Sequence, residues 1–453
     1  MRRHSIAIRL GPDDTETLNM IEPESACTEI RFIDDQGKIG FGIGQMIDGL
    51  LARSVYPTET ALDLILLASA VTAADTRISR STESQDSWTR EVDLYMPVQD
   101  LDKWQLTGKL VNRILNFLTG DKWRVIFRSR NEEYSELIAQ SDEPITPDFD
   151  SVSLFSGGLD SFIGAIDLIE QDNHPIFVSH YWDISTSSQV ACAEHLGEVY
   201  GSFEPRHVRA RIGFPDNLIE GSAPEMTSRG RSFLFFAMAA LTASGLGENC
   251  NIFVPENGLI SLNVPMDPLR VGAWSTRTTH PFYMARWSEL TNLIGLSVNW
   301  SNPYRFRTKG EMVEECTNPD ILRLHVGETI SCSSVAKARW KGLPPGHCGH
   351  CVPCIIRKAA IRKGLGTDPT TYTIGDFADR SLNSKLAEGS NVRSFQMISR
   401  RLTQNPELAH ILIHKTGPLS DYSKDDIDQY ANVFTRGIEE VSVIVDDARV
   451  RPS

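Results

Sequence analysis

The first part of the chain carries two kinds of hydrophobic pattern. Short segments with alternating apolar and polar residues are typical of half-buried strands, and apolar residues every three or four positions are typical of helices. The predicted strands are 3–10, 27–33, 92–98 and 123–127, and the predicted helices are 58–73 and 104–118. We therefore predict an N-terminal α+β accessory domain over residues 1–145. No motif in it carries chemistry, so docking, substrate presentation and simple stabilisation remain open as its role.

A regular alternation of buried strands and helices begins at Ser151. The predicted strands are 151–155, 175–179, 206–210 and 252–255, and the predicted helices are 162–171, 187–200 and 232–243. This order is typical of an α/β domain with a doubly wound parallel sheet, whose ligands bind beyond the carboxyl ends of the strands. We assign residues 146–315 to this domain, after an acidic, proline-containing linker around 131–150. Residues 368–453 are more polar and predict a helical C-terminal region, with helices at 394–402 and 425–445.

Composition narrows the class of protein. The chain has 453 residues, enough for about two or three domains. Its net charge of −14 argues against a large nucleic-acid surface, so we expect no direct nucleic-acid partner. The most apolar stretch, Ala61 to Ala74, is too short to span a bilayer, and the N-terminus lacks the apolar segment of a signal peptide. We therefore expect a cytoplasmic protein with no membrane partner.

The segment Ser156-Gly157-Gly158-Leu159-Asp160-Ser161 joins the first strand of the α/β alternation to its first helix. Two glycines let the backbone approach a ligand closely, and the serine hydroxyls and the free N–H groups of the helix start can bind an anion. Asp160 adds a carboxylate that can hold Mg²⁺ against phosphates. The pattern resembles the pyrophosphate loop of the ATP pyrophosphatase (PP-loop) superfamily, which implies ATP as the nucleotide. A glycine turn needed only for local geometry is the alternative.

Other polar residues follow predicted strands or open predicted helices, where a ligand of the sheet would lie. They are Tyr181, in the segment Tyr181-Trp182-Asp183; Arg229 and Arg231; Glu256 and Asn257; Lys309; and the run Ser275 to Pro281, which contains His280. The arginines can reach phosphate or carboxylate, and Tyr181 can contact the substrate or the base of ATP. A lysine at the start of a helix is electrostatically unfavourable without an anion, which favours a phosphate near Lys309. Capping and loop stabilisation remain the alternatives.

Four of the eight cysteines form a metal-binding pattern. Cys348, Cys351 and Cys354 follow one another at two-residue spacings, and Cys332 lies a short loop upstream. Such spacings bring thiols within tetrahedral reach of one Zn²⁺, and a Cys₄ site is closed and structural. An Fe–S cluster also takes four thiolates, but neither ferredoxin spacing matches. We predict a zinc-binding subdomain at 316–367; His347 and His350 are competing ligands, and unligated thiols are the other alternative.

Together, these motifs resemble the 7-cyano-7-deazaguanine synthase family, which joins a pyrophosphate loop to a nearby Cys₄ zinc site. The matching segments are 156–161, 308–311, 328–332 and 348–357, and Arg231 matches an Arg-Asn pair of the family, with Ser232 in place of the asparagine. The chain departs from the family in three places. The family's Tyr-Gly-Gln is replaced by Tyr181-Trp182-Asp183, the stretch Glu256 to His280 is unlike the biosynthetic version, and the queuosine-pathway synthases lack the N-terminal domain. The long form is more similar to the synthase-like proteins of bacterial anti-phage operons, of the Qat type or the type IV CBASS type.

The resemblance implies an ATP-dependent C–N ligase that uses ATP, Mg²⁺ and Zn²⁺. The carboxylate of 7-carboxy-7-deazaguanine would attack the α-phosphorus of ATP, giving an acyl-adenylate and pyrophosphate, and an amine would displace AMP to form an amide. Asp160, Arg231 and Lys309 would be catalytic. The amine implied by the anti-phage relatives is the N-terminus of an operon-encoded partner protein; with ammonia, the product would be the nitrile of queuosine biosynthesis.

Two further hypotheses stay open at this point. A sulfur-inserting pyrophosphatase acting on tRNA would need a reactive cysteine near the loop, for which Cys192 is the nearby candidate. A nucleotide-sensing scaffold of a defence complex would bind ATP without turnover.

Overall fold

The structure is a computed structural model that describes residues 3–139, 148–181, 185–201, 203–225, 227–267, 277–335, 342 and 346–452. Trp182 and Asp183, the Ser275 and Thr276 end of the polar run, and the predicted domain boundary at 145 lie outside these residues. Within them, parallel sheets alternate with helices, as an α/β fold requires. No helix in these ranges joins the length and the apolar composition that a bilayer crossing needs.

The N-terminal part is built on a four-stranded sheet in the order β2-β1-β3-β4. Its strands are β1 (His4–Arg9), β2 (Ala26–Arg31), β3 (Glu91–Val98) and β4 (Lys122–Ser129), and its helices are α1 (Ile43–Leu51), α2 (Glu59–Arg77), α3 (Arg80–Glu83) and α4 (Leu101–Thr119). The predicted α+β class is wrong for this part, because every strand pair in the sheet is parallel. Parallel neighbours need crossover connections, and α4 provides one between β3 and β4.

A five-stranded parallel sheet follows, in the order β7-β6-β5-β8-β9. Its strands are β5 (Ser151–Leu154), β6 (Pro175–His180), β7 (His207–Ala210), β8 (Cys250–Phe253) and β9 (Val298–Ser301), and its helices are α5 (Leu159–Glu170), α6 (Ser185–Tyr200), α7 (Arg231–Ser244), α8 (Gly258–Leu262) and α9 (Pro281–Leu293). The strand order reverses between β5 and β8, where a doubly wound sheet opens its ligand crevice. The predicted pyrophosphate loop directly follows β5 and therefore lies at this point.

The remaining chain is mostly helical. Its helices are α10 (Lys309–Glu314), α11 (Pro319–His325), α12 (Val352–Leu365), α13 (Ala387–Gln404), α14 (Leu408–Leu412) and α15 (Lys424–Val445), with a short parallel pair of β10 (Leu382–Asn383) and β11 (Val450–Arg451). A hydrophobic core joins α12, α13 and α15 to α8, whose Leu259 and Leu262 are buried in it. The C-terminal helices therefore pack against an element that begins at the carboxyl edge of the five-stranded sheet.

The N-terminal part is tied closely to the five-stranded sheet. One hydrophobic core contains residues of both sheets, including Ile6 and Leu94 from the first and Val152 and Ile252 from the second. The predicted division into domains stays a prediction, but burial of apolar surface across this boundary opposes independent movement of the two parts.

A buried charge cluster adds to the same interface. Arg90 contacts Asp75 at 2.7 Å, and Arg80 contacts both Asp75 and Asp121. Asp75 also accepts the backbone N–H of Gly230, at the start of α7, at 2.6 Å. The first turn of α7 is thus fixed by an acidic side chain of the N-terminal part.

Candidate functional site

The segment from Ser156 to Ser161 forms a compact loop at the start of α5. Ser161 Oγ accepts the backbone N–H of Ser156 at 3.2 Å, and Ser156 Oγ accepts the N–H of Gly158 at the same distance. The two hydroxyl oxygens lie 3.1 Å apart. Gly157 has a φ of +75°, a conformation that favours glycine. Ser161 is buried and donates its hydroxyl to the carbonyl of Gly158 at 3.0 Å, whereas Ser156 is exposed. The loop thus places Ser156 and the N-terminus of a helix at the carboxyl edge of the sheet, an arrangement that binds phosphate in many proteins.

Two other parts of the chain cover Gly157. A Cβ at this position would lie 2.6 Å from Ser188 Oγ and 2.7 Å from the nitrogen of Gln189, both in the first turns of α6. On another side, the carbonyl of Gly157 accepts the N–H of Ile330 at 2.9 Å. Glycine is therefore required here by space as well as by backbone angle.

Asp160 lies at the centre of a buried polar cluster. Its Oδ1 pairs with Lys309 Nζ at 2.7 Å, and the two side chains are only 10% and 6% exposed. Its Oδ2 accepts the side-chain amide of Asn257 at 2.8 Å and the backbone N–H of the same residue at 3.3 Å. Three residues chosen from separate parts of the sequence thus meet at one carboxylate. Their predicted roles in ATP binding and catalysis stay predictions.

Glu256 lies beside this cluster and belongs to a second polar network. Its carboxylate accepts the hydroxyl of Thr279, which contacts Ser261 Oγ at 2.8 Å, and its backbone carbonyl accepts the side chain of Asn302 at 2.8 Å. Burial, with a further contribution from the negative charge of Asp160, raises the pKa of Glu256 to about 7. The charge of Asp160 is thus felt at Glu256, and carboxylate oxygens are ligands that Mg²⁺ prefers.

The start of α10 already has an anionic partner within the protein. Glu440, from α15, accepts the side chain of Thr308 and the backbone N–H of Gly310, the latter at 3.2 Å. Lys363 pairs with the same carboxylate at 2.8 Å. The carboxylate of Glu440 compensates the helix dipole there, and Lys309 pairs with Asp160. A phosphate near Lys309 stays a prediction.

Arg229 has contacts in the N-terminal part of the chain. Its Nη1 donates to the carbonyl of Thr119 at 3.0 Å, and its guanidinium lies 3.9 Å from the ring centroid of Trp88. Burial, with the nearby charge of Arg80, lowers its pKa to about 10. These contacts join the α7 segment to the N-terminal part, and the predicted role in ATP binding stays a prediction.

Tyr181 and Arg231 lie at the carboxyl edge of the sheet. Tyr181 follows β6, and its ring lies 5.0 Å below the guanidinium of Arg209. Arg231 is the first residue of α7, and its guanidinium stacks on Phe235 one turn later, at 5.0 Å. A helix that connects parallel strands runs antiparallel to them, so its first turn lies at their carboxyl ends. His280, in contrast, is fully buried and caps α9 by accepting the N–H of Phe282 at 3.2 Å.

The four predicted metal ligands lie together. The sulfur atoms of Cys332, Cys348, Cys351 and Cys354 are all within 4.8 Å of one another, with 3.9 Å between Cys332 and Cys351 and 4.0 Å between Cys348 and Cys354. Zn–S bonds of about 2.3 Å in a tetrahedron place sulfur atoms about 3.8 Å apart, so the cluster can hold zinc.

Backbone donors around the sulfur atoms fit the same interpretation. Cys332 Sγ accepts the N–H groups of Ser334 and Cys348, at 3.3 and 3.4 Å, and Cys348 Sγ accepts the N–H of Cys351 at 3.3 Å. Such donors stabilise thiolates, which are the form of cysteine that binds metal. His347 points its Nε2 elsewhere, toward the N–H of Ser331 at 3.2 Å, so it is engaged outside the cluster.

Cys192 is poorly suited to sulfur transfer. It is fully buried, and its Sγ lies 4.0 Å from the carbonyl oxygen of Gly157. Burial, with a smaller contribution from the charge of Glu328, raises its pKa to about 12. A thiol that stays protonated is a weak nucleophile, so the geometry disfavours the sulfur-inserting hypothesis.

Comparison with known proteins finds a distant similarity to the synthase family that the motifs resemble. The chain is 24% identical over 236 residues to 7-cyano-7-deazaguanine synthase from Methanoregula boonei, and the match covers 98% of that protein but 49% of this chain. No protein-family profile and no solved structure matches the chain. The chain is thus distantly similar to a deazaguanine synthase, and about half of it has no counterpart there.

Several residues of the site were not predicted to belong to it. Glu440 reaches the site through long-range packing, and Asn302 follows a strand, β9, that has no clear apolar pattern. The position of Asn302 immediately after a parallel strand is the kind of indication that could have identified it.

Proposed function

We propose that this protein is an ATP-dependent ligase that adenylates the carboxylate of 7-carboxy-7-deazaguanine and joins the product to an amine. The main support is the position of the Ser156–Ser161 loop at the switch point of the sheet, where Asp160, Asn257 and Lys309 meet. The similarity to a deazaguanine synthase supports the substrate class. Cytoplasmic location is part of the proposal, since reduced thiols and ATP occur together there.

The chemistry follows from the proposed placement of ATP phosphates on the loop. A carboxylate oxygen of the substrate attacks the α-phosphorus, and the bond from that phosphorus to the leaving pyrophosphate breaks. The amine nitrogen then attacks the acyl carbon, AMP leaves, and the amine loses a proton to give the amide. Bound Mg²⁺, for which Asp160 and Glu256 offer oxygen ligands, supplies neutralisation of phosphate charge. Lys309 orients Asp160, and Arg231, at the same edge, stabilises charge on the phosphates.

The amine is proposed to be the N-terminus of an operon-encoded partner protein in anti-phage defence. The part of the chain without counterpart in the synthase supports this, because a protein acceptor needs a docking surface that ammonia does not. With ammonia as acceptor, a second activation would yield the nitrile, as the name of the similar synthase indicates. A catalytically silent scaffold has less support, since a buried ion pair beside the loop is costly to maintain without a role.

The first experiment measures AMP release from ATP and 7-carboxy-7-deazaguanine, with ammonia or the partner protein added, and identifies the product by mass. We expect AMP only when the deazaguanine acid is present, and a mass increase on the true acceptor. Release of ADP, or no nucleotide product with any acceptor, would contradict the proposal.

Two glycine variants distinguish a specific effect of the loop on activity from a general effect of backbone strain. Gly157→Ala and Gly37→Ala both place a side chain at positive φ, +75° and +78°. Only Gly157 is closely covered, while nothing lies within 4 Å of a Cβ at Gly37. We expect Gly157→Ala to lose at least about 100-fold in AMP release and Gly37→Ala to keep near-normal activity at about 1 kcal/mol lower stability. Equal activity in both variants would remove the loop from the reaction.

A further inference from the structure

A second group of metal-binding side chains lies outside the cysteine cluster and the loop. His195 and Glu198 come from α6, and His325 is the last residue of α11. Each offers one ligand atom, and the three atoms lie within 4.8 Å of one another. No step of the proposed reaction uses these residues.

The arrangement of the three side chains is set by two helices. His195 and Glu198 are three positions apart on α6 and therefore share a face, with 3.3 Å between His195 Nδ1 and Glu198 Oε2. The imidazole of His325 stacks on that of His195, with ring centroids 3.8 Å apart and planes 21° from parallel. Two imidazoles and one carboxylate thus converge where α6 meets the end of α11.

The group of three side chains is open to solvent on one side. The Glu198 side chain is 69% exposed and that of His195 is 25% exposed, so ions and water reach both side chains.

We propose that His195, Glu198 and His325 bind one divalent transition-metal ion of the zinc class, with water completing its coordination. Two histidines and one glutamate are an established donor set for Zn²⁺ with an open position. A ring nitrogen binds metal in the plane of its ring, so a rotation of one of the two stacked imidazoles would accompany binding. This site differs from the Cys₄ cluster in having no sulfur ligand and in facing solvent.

Such an ion would connect the two elements that cover the loop. The first turns of α6 lie against Gly157, and the chain beyond His325 leads to Ile330, whose N–H bonds the carbonyl of Gly157. Metal binding would therefore restrict both neighbours of Gly157 at once.

The probe for this site is Co²⁺ added to full-length protein whose cysteine cluster already holds Zn²⁺ and from which any histidine tag has been removed. We expect one additional Co²⁺ per chain, with absorption typical of nitrogen and oxygen ligands and no sulfur charge-transfer band. His195→Asn and His325→Asn should weaken binding at least about tenfold, and Glu198→Gln should weaken it measurably.

Glu198→Gln guards against a folding artefact, because that side chain is mostly exposed, and His174→Ala is the matched control for an exposed histidine. We expect His174→Ala to bind Co²⁺ as the native protein does. Absence of saturable Co²⁺ binding, or equal affinity in the native protein and the His195→Asn/His325→Asn double variant, would overturn the proposal. A sulfur charge-transfer band would show that Co²⁺ binds to the cysteines, and this result would also overturn the proposal.

Discussion

Replacing Asp160 by asparagine is the sharpest test of the polar cluster, because the change removes one charge and keeps the shape. Lys309 would lose its partner at 2.7 Å while its own side chain stays only 6% exposed. Breaking a buried ion pair by removing one partner costs about 3–5 kcal/mol, since an uncompensated charge remains. Asn257 can still contact the new amide, so we expect a loss of stability near the lower end, about 3 kcal/mol.

The double variant Asp160→Asn/Lys309→Met separates stability from chemistry. Removing both charges from a buried pair is often close to neutral, so we expect most of the lost stability to return. AMP release should not return, because the carboxylate proposed to hold Mg²⁺ and the ammonium that orients it are both absent. Loss of one preorganised electrostatic group typically lowers kcat by about 100- to 1,000-fold.

The assays are urea unfolding followed by fluorescence and AMP release at saturating ATP, for the native protein, both single variants and the double variant. If the double variant regained activity together with stability, Asp160 would be a structural residue only. If Asp160→Asn kept native stability, the burial argument for the ion pair would be wrong.

Three further predictions concern the rest of the molecule. Cys354→Ser should reduce bound zinc, measured by metal mass spectrometry, and should increase proteolysis at the start of α12, because a closed structural site contributes directly to folding. Glu440→Gln should lower stability by about 1–2 kcal/mol in urea, whereas Glu439→Gln, on the exposed side of α15, should not. Burial lowers the pKa of His207 and of His280 to about 3 from 6.5, so both are neutral in the folded protein. The free energy of unfolding is therefore at its full value above pH 6.5 and falls as the pH drops toward 3. At about pH 5, each histidine should have lowered it by about 2 kcal/mol. Urea midpoints that stay constant from pH 7 to pH 5 would contradict the burial of these side chains.

The elements that sequence predicted best are those with one clearly apolar face. The predicted strand 92–98 is observed as Glu91–Val98, and the predicted helix 104–118 as Leu101–Thr119. α12 was not predicted, because it buries Arg357, which donates to Thr329 Oγ1 and to the carbonyl of Val326. A charged residue on the core-facing side obscures helical periodicity.

In the candidate site, too, the features that depend on neighbouring residues could be predicted from the sequence, and the contacts between distant parts of the chain could not. The loop and the cysteines depend on short-range spacing, so the sequence predicts them residue by residue. The carboxylate at the start of α10 was not predicted, because it comes from Glu440, more than a hundred positions later in the chain. Only tertiary packing of α15 on α10 decides which anion occupies that helix start.

The Ser156–Ser161 loop and the cysteine cluster, which are separate motifs in the sequence, are in contact in the structure. Ile330 donates to Gly157 at 2.9 Å, Leu159 donates to Ser331 Oγ at 3.4 Å, and the next residue is Cys332, a predicted zinc ligand. A zinc ion held by Cys332 would therefore fix the segment that covers the loop, although it lies outside the reaction. The presence of zinc should therefore affect the affinity for ATP as well as the stability of the C-terminal region, because an unrestrained 330–332 segment would lose its contacts with the Ser156–Ser161 loop.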